Sequence, residues 1–148
     1  MKDNLTANVS VKPLCLQLSL KTKWFEMTRS GIKKEDYRSI TPYWVKRFCL
    51  YQNKKLNKNL NPSDILLLCK DLNRCVVDEL IDYMVHNWYL SFEPFTQTIL
   101  TLGYPKLTDT ERVLKLEHKG IEIRTGNPEW GAEPNKLYFV IMHGTILA

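Results

Sequence analysis

The charged stretch SGIKKEDYR, residues 30–38, holds the side chains of this chain best suited to chemistry, with five charged groups among nine residues. Lys33 and Arg38 are five positions apart, so both cations can meet one phosphate or carboxylate. Asp36, between them, can hold either cation or accept a hydrogen bond from a base edge. Arg38 offers a planar fork for a bidentate contact, whereas Lys33 is a point charge that can lose its proton if it is buried. The alternative interpretation is a surface ion-pair cluster of little consequence.

Aromatic residues accompany these charges and offer stacking platforms for unpaired bases. The candidates are Trp24, Tyr37, Tyr43, Trp44 and Trp130. Helical spacing favours a core position for Trp24 and for one of Tyr43 and Trp44. Trp130 stands in a loop rich in Gly and Pro with no obvious core to fill, so lining the ligand site is one of two interpretations for it. Tyr37 is the other aromatic candidate for ligand binding.

The charge of the chain is unevenly distributed along its 148 residues, although the net charge is only +5. Residues 21–58 contain eleven Lys or Arg against three Asp or Glu, whereas residues 61–94 contain two against six. The basic part is suited to a polyanion such as RNA or to a modified nucleoside, and the alternative is a merely solvated face. The acidic part is predicted to be helical.

Several classes of protein are disfavoured by the sequence. The N-terminus lacks the apolar segment of a signal peptide and no stretch is long and apolar enough to span a bilayer, so we expect a cytoplasmic protein without membrane association. The four cysteines at positions 15, 49, 69 and 75 include no C-x-x-C pair, and the three histidines are scattered. We therefore predict neither a metal site nor a cofactor.

The elements that must position the charged stretch are readable from local patterns. LCLQLSL, residues 14–20, alternates like a half-buried strand. The next segment predicts a short helix that ends where Gly31 adopts a left-handed conformation. Thr41 is a candidate N-cap and Pro42 a first helical residue, so a second helix should run to about Leu50. The charged stretch itself is placed at the first helix end and in the loop that follows.

The rest of the chain divides into a loop, a helical segment and strands. Residues 51–61 are predicted to be a loop, and residues 62–88 a helix or helix pair. Three strand patterns follow, namely TQTILTL, RVLKLEHKGIEI as one long or two short strands, and KLYFVIMHGTIL, with an irregular RTGNPEWGAEPN before the last. The fold class is therefore α+β, with four to six strands and two or three helices in a small barrel or curled sheet. Residues 1–12 are expected to be a flexible end.

The quoted charged stretch, together with its surroundings, resembles the ASCH domain, a relative of the PUA domains. The family signature is G-x-K-x-x-E-x-R, which Gly31, Lys33 and Arg38 match. Asp36 occupies the Glu position, and Glu35 is the alternative carboxylate. The segment KGIEIRTGNPEWGAEPNKLYFVI is similar to the family as well.

The resemblance covers roughly residues 14–48 and 98–147, and it has structural implications. It implies a single PUA-like β-barrel domain over residues 13–148, with flanking short helices and a helical insertion at about 50–95. The signature loop and the basic helix edge would line a cleft. Together with the aromatic candidates, this gives the predicted ligand-binding residues, which are Gly31, Lys33, Asp36, Tyr37, Arg38 and Trp130.

Three functions follow from the residues and the resemblance. The first is RNA binding through a basic cleft. The second is an amidohydrolase acting on an acylated nucleoside such as acetylcytidine, with Lys33, Asp36 and Glu129 as catalytic residues and Glu133 as an alternative to Glu129. The amidohydrolase branch of the family has a Thr where Asp36 stands, so a carboxylate would have to activate water instead. The third is docking of a protein partner, or self-association, through the helical insertion.

Overall fold

The computed structural model describes residues 13–51, 54–55, 77–87 and 89–147. Its helices are α1 (Thr22–Arg29), α2 (Pro42–Phe48) and α3 (Val77–His86). Its strands are β1 (Cys15–Leu20), β2 (Glu35–Ser39), β3 (Cys49–Tyr51), β4 (Lys54–Lys55), β5 (Leu90–Phe92), β6 (Gln97–Leu102), β7 (Val113–Thr125) and β8 (Leu137–Ile146). The predicted α+β class is confirmed.

The main sheet has five strands in the order β1-β6-β7-β8-β2 and curls into half a barrel. β1 and β6 run parallel, while the β6–β7, β7–β8 and β2–β8 pairs are antiparallel. β7 is a single strand of 13 residues, and its pairing with β8 shifts register at His118 and again before Gly120. Such irregularities bend a strand and increase its twist, which helps the sheet to curl.

The elements before and after the charged stretch form as their local sequences predict. β1 buries Leu16, Leu18 and Leu20 and exposes the residues between them. α1 ends at Arg29, and Gly31 follows with a φ of 83°. α2 begins at Pro42, and the Thr41 side chain accepts a hydrogen bond from the backbone of Trp44.

Two predictions about loops were wrong. The charged stretch contains the strand β2, which pairs along its whole length with β8 and so takes its conformation from a distant part of the chain. The predicted loop from Tyr51 begins with short strands, because β3 pairs with both β4 and β5 in a separate three-stranded sheet. The described part of the predicted helical segment is α3. Residues 1–12, 52–53, 56–76 and 88 of these predictions lie outside the described residues.

The core lies inside the curl of the main sheet, where helices α1 and α2 cover it. Its largest fully buried side chains include Phe25 of α1, Phe48 of α2 and Phe139 of β8. Phe48 meets Phe139 edge to face, with ring centroids 5.3 Å apart. Because α2 follows β2 directly, this packing fixes β2 and its charged side chains against the sheet.

No helix in the described ranges is both long and apolar enough to cross a membrane.

Candidate functional site

A buried charged cluster forms where β2 meets β8. The Lys33 ammonium group donates to the Asp36 carboxylate and to the Glu35 backbone oxygen, the latter at 2.7 Å. The second carboxylate oxygen of Asp36 lies 2.6 Å from Nε2 of His143. The side chains of Lys33, Asp36 and His143 are only 1%, 3% and 2% exposed. This is a buried network of the kind that depends on every member being paired.

The cluster lowers the pKa of both Asp36 and Lys33, which favours the charged form of Asp36 but the neutral form of Lys33. Burial alone would raise the pKa of Asp36, but the hydrogen bond with His143 and the charge of Lys33 hold that pKa at about 2. Burial lowers the pKa of Lys33, and the Asp36 carboxylate opposes this shift. Nδ1 of His143 is buried and has no hydrogen-bond partner among the described residues.

The alternation of β2 decides which carboxylate meets Lys33. Asp36 and Arg38 lie on one face of the strand, whereas Glu35 and Tyr37 lie on the other. Glu35 pairs there with Arg124, at 2.5 Å, instead of with Lys33. Asp36 is therefore the partner of Lys33, and Glu35 does not replace it.

Tyr37 stabilises a loop on that opposite face. Its hydroxyl donates to Glu35 at 2.7 Å and accepts from the backbone N–H of Asn127 at 2.9 Å. Burial, and then the bond to Glu35, raises the pKa of Tyr37. The structure does not bring Tyr37 together with Lys33 or Asp36.

Lys33 and Arg38 line different cavities. Lys33 borders a small cavity of about 330 Å³, which Gly31, Lys34 and His143 also line. Arg38 borders a larger one of about 670 Å³. The two cations therefore do not line one common anion site, contrary to the expectation that Lys33 and Arg38 converge on one anion.

The larger cavity, called the basic cavity below, combines cations with aromatic rings. The cations are Lys21, Arg38 and Arg47, and the aromatic residues are Trp24, Tyr43, Trp44 and Tyr104. All described residues around it are uncharged or positively charged. Lys21, Arg47 and Tyr104 were not singled out from the sequence as site residues. The basic composition of residues 21–58 was the signal that could have found the two cations.

Two guanidinium groups meet at the indole ring of Trp44. The central carbons of Arg38 and Arg47 each lie 5.2 Å from the ring centroid, and Trp44 itself stacks on Phe48. Burial lowers the pKa of Arg38, the Asp36 carboxylate raises it, and the nearby Arg47 lowers it again. Two like charges this close favour the binding of an anion, which would offset their repulsion.

The same arginines contact the outer strand β1. Arg38 donates to the Ser19 carbonyl oxygen and Arg47 to the Gln17 carbonyl oxygen, each at 3.1 Å. Because β1 and β2 are the two outer strands of the sheet, the Arg38 contact bridges the opening of the half-barrel. The basic cavity lies at this opening.

The loop between β7 and β8 approaches the basic cavity from outside. Asn127 caps a short 3-10 turn, Pro128–Trp130, and Gly131 follows with a φ of 101°. A Cβ at Gly131 would lie 3.0 Å from the Trp24 ring, so the backbone touches Trp24. Trp130 is half-buried and Glu129 is exposed, and neither residue lines either of the two cavities.

The remaining acidic candidate, Glu133, is also remote from the buried cluster. It pairs with Lys136 at 3.2 Å. The structure therefore brings Lys33 and Asp36 together but places neither Glu129 nor Glu133 with them.

Within the described part of the chain, no three His, Cys, Asp or Glu residues are grouped as a metal site would need.

Comparisons of the chain with protein-family models, with curated proteins and with solved structures found no match. Function must therefore be argued from the two cavities and the residues around them.

Proposed function

We propose that this protein binds single-stranded RNA through the basic cavity. The observation that carries the proposal is the placing of three cations and four aromatic residues around one cavity. Proteins that bind unpaired nucleic acid combine positive charge along the backbone with aromatic platforms for the bases. A volume of about 670 Å³ falls in the range that ligand sites occupy.

The cations have distinct parts in this proposal. Lys21 is exposed at the start of α1 and supplies a mobile charge for a phosphate. Arg38 and Arg47 each use part of their five N–H donors on backbone oxygens of β1, and the remaining donors can hold a second phosphate or a base edge. Held in place by Trp44, the two guanidinium groups need little further ordering when a ligand binds.

We further propose that the chain is an ASCH-type domain. The support is that its signature residues have physical roles in this fold. Gly31 supplies the positive φ after α1, and Asp36 pairs with Lys33 as the signature's carboxylate. The sheet that curls into half a barrel is compatible with the PUA-like β-barrel that this resemblance implies.

A matched pair of lysine variants tests RNA binding. Lys21 and Lys46 are both exposed, but only Lys21 lines the basic cavity. We expect Lys21→Ala to weaken binding of a fluorescent single-stranded RNA roughly tenfold in anisotropy titrations, as loss of a charge-assisted contact does. The slope of log affinity against log salt should become less steep by about 0.7.

Lys46→Ala removes the same charge from α2 and should leave affinity within about twofold, because the residue is outside the cavity. Equal loss in both variants would mean that binding follows overall charge and not the cavity. Absence of any RNA binding by the unmodified protein would overturn the proposal.

A second candidate is hydrolysis of an acylated nucleoside. The observation that favours it is the direct contact of Lys33 and Asp36 beside the small cavity. Asp36 would take a proton from water and Lys33 would polarise the amide oxygen. Both side chains are almost fully buried and bonded to each other, so neither faces a substrate without rearrangement. RNA binding is therefore the first proposal.

Hydrolysis is tested by incubating the protein with acetylcytidine and separating the products by chromatography. Turnover that Lys33→Met abolishes and Lys34→Met retains would establish this activity, provided that circular dichroism shows both variants folded. No turnover by the unmodified protein would exclude acetylcytidine as a substrate.

A further inference from the structure

Tyr104 is the most exposed large hydrophobic residue in the described part of the chain, at 96% exposure. It stands in the turn between β6 and β7, and it nevertheless lines the basic cavity. It makes no hydrogen bond, ion pair or ring contact within the described ranges. An aromatic ring left entirely in water beside a basic cavity is unusual, because such rings are normally at least partly buried.

The turn restricts the backbone of Tyr104, although the ring makes no hydrogen bond or ring contact with the described residues. Gly103 adopts a φ of 67°, and its carbonyl oxygen accepts from the Thr101 hydroxyl at 3.0 Å. The Arg112 guanidinium donates to the Leu102 carbonyl oxygen at 2.9 Å. Pro105 follows directly and restricts the backbone of Tyr104 to extended conformations. The backbone before the ring is therefore anchored by two hydrogen bonds, and the backbone of Tyr104 itself is restricted by Pro105.

The other aromatic residues of the cavity have their rings engaged by protein groups. Trp44 contacts two guanidinium groups and Phe48, as described above. The Lys23 ammonium group lies 4.7 Å from the centroid of the Trp24 ring, and the backbone of Gly131 also contacts this ring. Tyr43 meets Trp44 edge to face at 4.8 Å. Of the four aromatic residues, Tyr104 alone has a ring free of contacts in the described part of the chain.

We propose that Tyr104 is the residue on which an unpaired nucleobase stacks when RNA occupies the basic cavity. The inference rests on the proposed RNA binding and narrows it, since it requires a ligand with an aromatic base. A polyanion without bases would satisfy the cations equally well but would gain nothing from Tyr104. Phosphates adjoining the stacked base would lie towards Lys21 and Arg47.

The test compares two probes with two Tyr104 variants. The probes are a fluorescent ten-residue oligouridylate and an abasic oligonucleotide of the same length, which keeps the phosphates but lacks the bases. We expect Tyr104→Ala to weaken binding of the oligouridylate by about five- to a hundredfold, the range for loss of one base–aromatic stack. Tyr104→Phe keeps the ring and should bind within about twofold of the unmodified protein. Neither variant should change binding of the abasic strand.

Tyr83→Ala is the matched control, because Tyr83 is another exposed tyrosine, at 60%, on α3 and outside the cavity. It should bind both probes like the unmodified protein. Circular dichroism should show all variants folded, since neither ring belongs to the core.

The outcomes distinguish base stacking on Tyr104 from RNA binding by the basic cavity. Normal oligouridylate binding by Tyr104→Ala, with weakened binding by Lys21→Ala, would overturn the stacking role and leave RNA binding intact. Equal weakening of both probes by Tyr104→Ala would also overturn it, because the residue would then be supporting the cavity. If the unmodified protein bound neither probe, both proposals would fail.

Discussion

At the scale of single residues, the buried Lys33–Asp36 pair predicts how much the stability of the fold depends on one counter-charge. Asp36 is the only carboxylate that the described structure places on the Lys33 ammonium group. We expect Asp36→Asn to lower the free energy of unfolding by about 3–5 kcal/mol, because it leaves a buried cation without a counter-charge. Urea unfolding followed by tryptophan fluorescence measures the change.

Lys33→Met provides the comparison for this prediction. It removes the cation but leaves Asp36 hydrogen-bonded to His143, so the carboxylate keeps one of its two partners. The loss should therefore be smaller than for Asp36→Asn. The reverse order, or losses below about 1 kcal/mol in both variants, would show that the pair is not a stabilising unit. From the sequence alone, Lys33→Ala is predicted to leave folding nearly intact. Because the Lys33 side chain is only 1% exposed, we expect a loss of stability instead.

Only part of the candidate site could be predicted from single residues. The closeness of Lys33 and Asp36 follows from their spacing in the chain. His143 could not be found in this way, since it stands 107 positions after Asp36 and joins the cluster only through the β2–β8 pairing. Tyr37 was misplaced as a partner of the same ligand because it was assigned to a loop, whereas strand alternation turns it to the other face.

At the scale of elements, two positions between helices and strands require glycine, for different reasons. Gly31 needs a positive φ, but a Cβ there would meet nothing within 4 Å. Gly126 lies in the loop before the 3-10 turn, where a Cβ would lie 2.6 Å from the Tyr37 ring and 2.7 Å from Ala132.

We expect Gly31→Ala to cost about 1–2 kcal/mol of stability through backbone strain alone. Gly31→Asn should cost less, because Asn tolerates the left-handed conformation better. Gly126→Ala should cost up to about 3 kcal/mol through overpacking. Thermal unfolding of the three variants measures this ranking, and an equal effect of Ala and Asn at position 31 would contradict the conformational role of Gly31.

The elements that were predicted correctly have strong local signals. The Thr41–Pro42 start of α2 accounts for two of the N–H groups that a helix start leaves unpaired, because Thr41 accepts from Trp44 and Pro42 has no N–H. β2 has no such signal, because all five of its residues are charged or hydroxyl-bearing, and its backbone is ordered by β8. The same holds for the short strands after α2, which exist only through pairing with each other and with β5.

At the scale of the whole molecule, buried ionisable groups predict how stability depends on pH. Burial, and then the neighbouring His143, lowers the pKa of His118 from 6.5 to about 4. The unfolded chain therefore takes up this proton first, and stability should fall as the pH drops from about 6.5 to 4. Asp36, with its pKa lowered from 3.8 to about 2, adds a loss of about 2 kcal/mol as the pH drops further, from about 4 to 2.

Urea midpoints at pH 7, 5, 4 and 2.5 measure these two declines. His118→Gln should flatten the upper decline only. Asp36→Asn should flatten part of the lower decline, because the pKa values of Glu35 and Glu117 are also lowered. Stability that stays constant from pH 7 to 4 in the unmodified protein would contradict the assignment to His118.

The order of strands in the sheet also has a consequence for folding kinetics. β6, β7 and β8 follow one another along the chain and pair with their neighbours, so they can form a sheet early. β1 must instead join β6 across a separation of 82 positions, and β2 must join β8 across 99 to 107 positions. Contacts so distant along the chain are slow to form. During synthesis, the strands that frame the basic cavity leave the ribosome first and dock last, so the cavity is completed only when nearly the whole described chain is available.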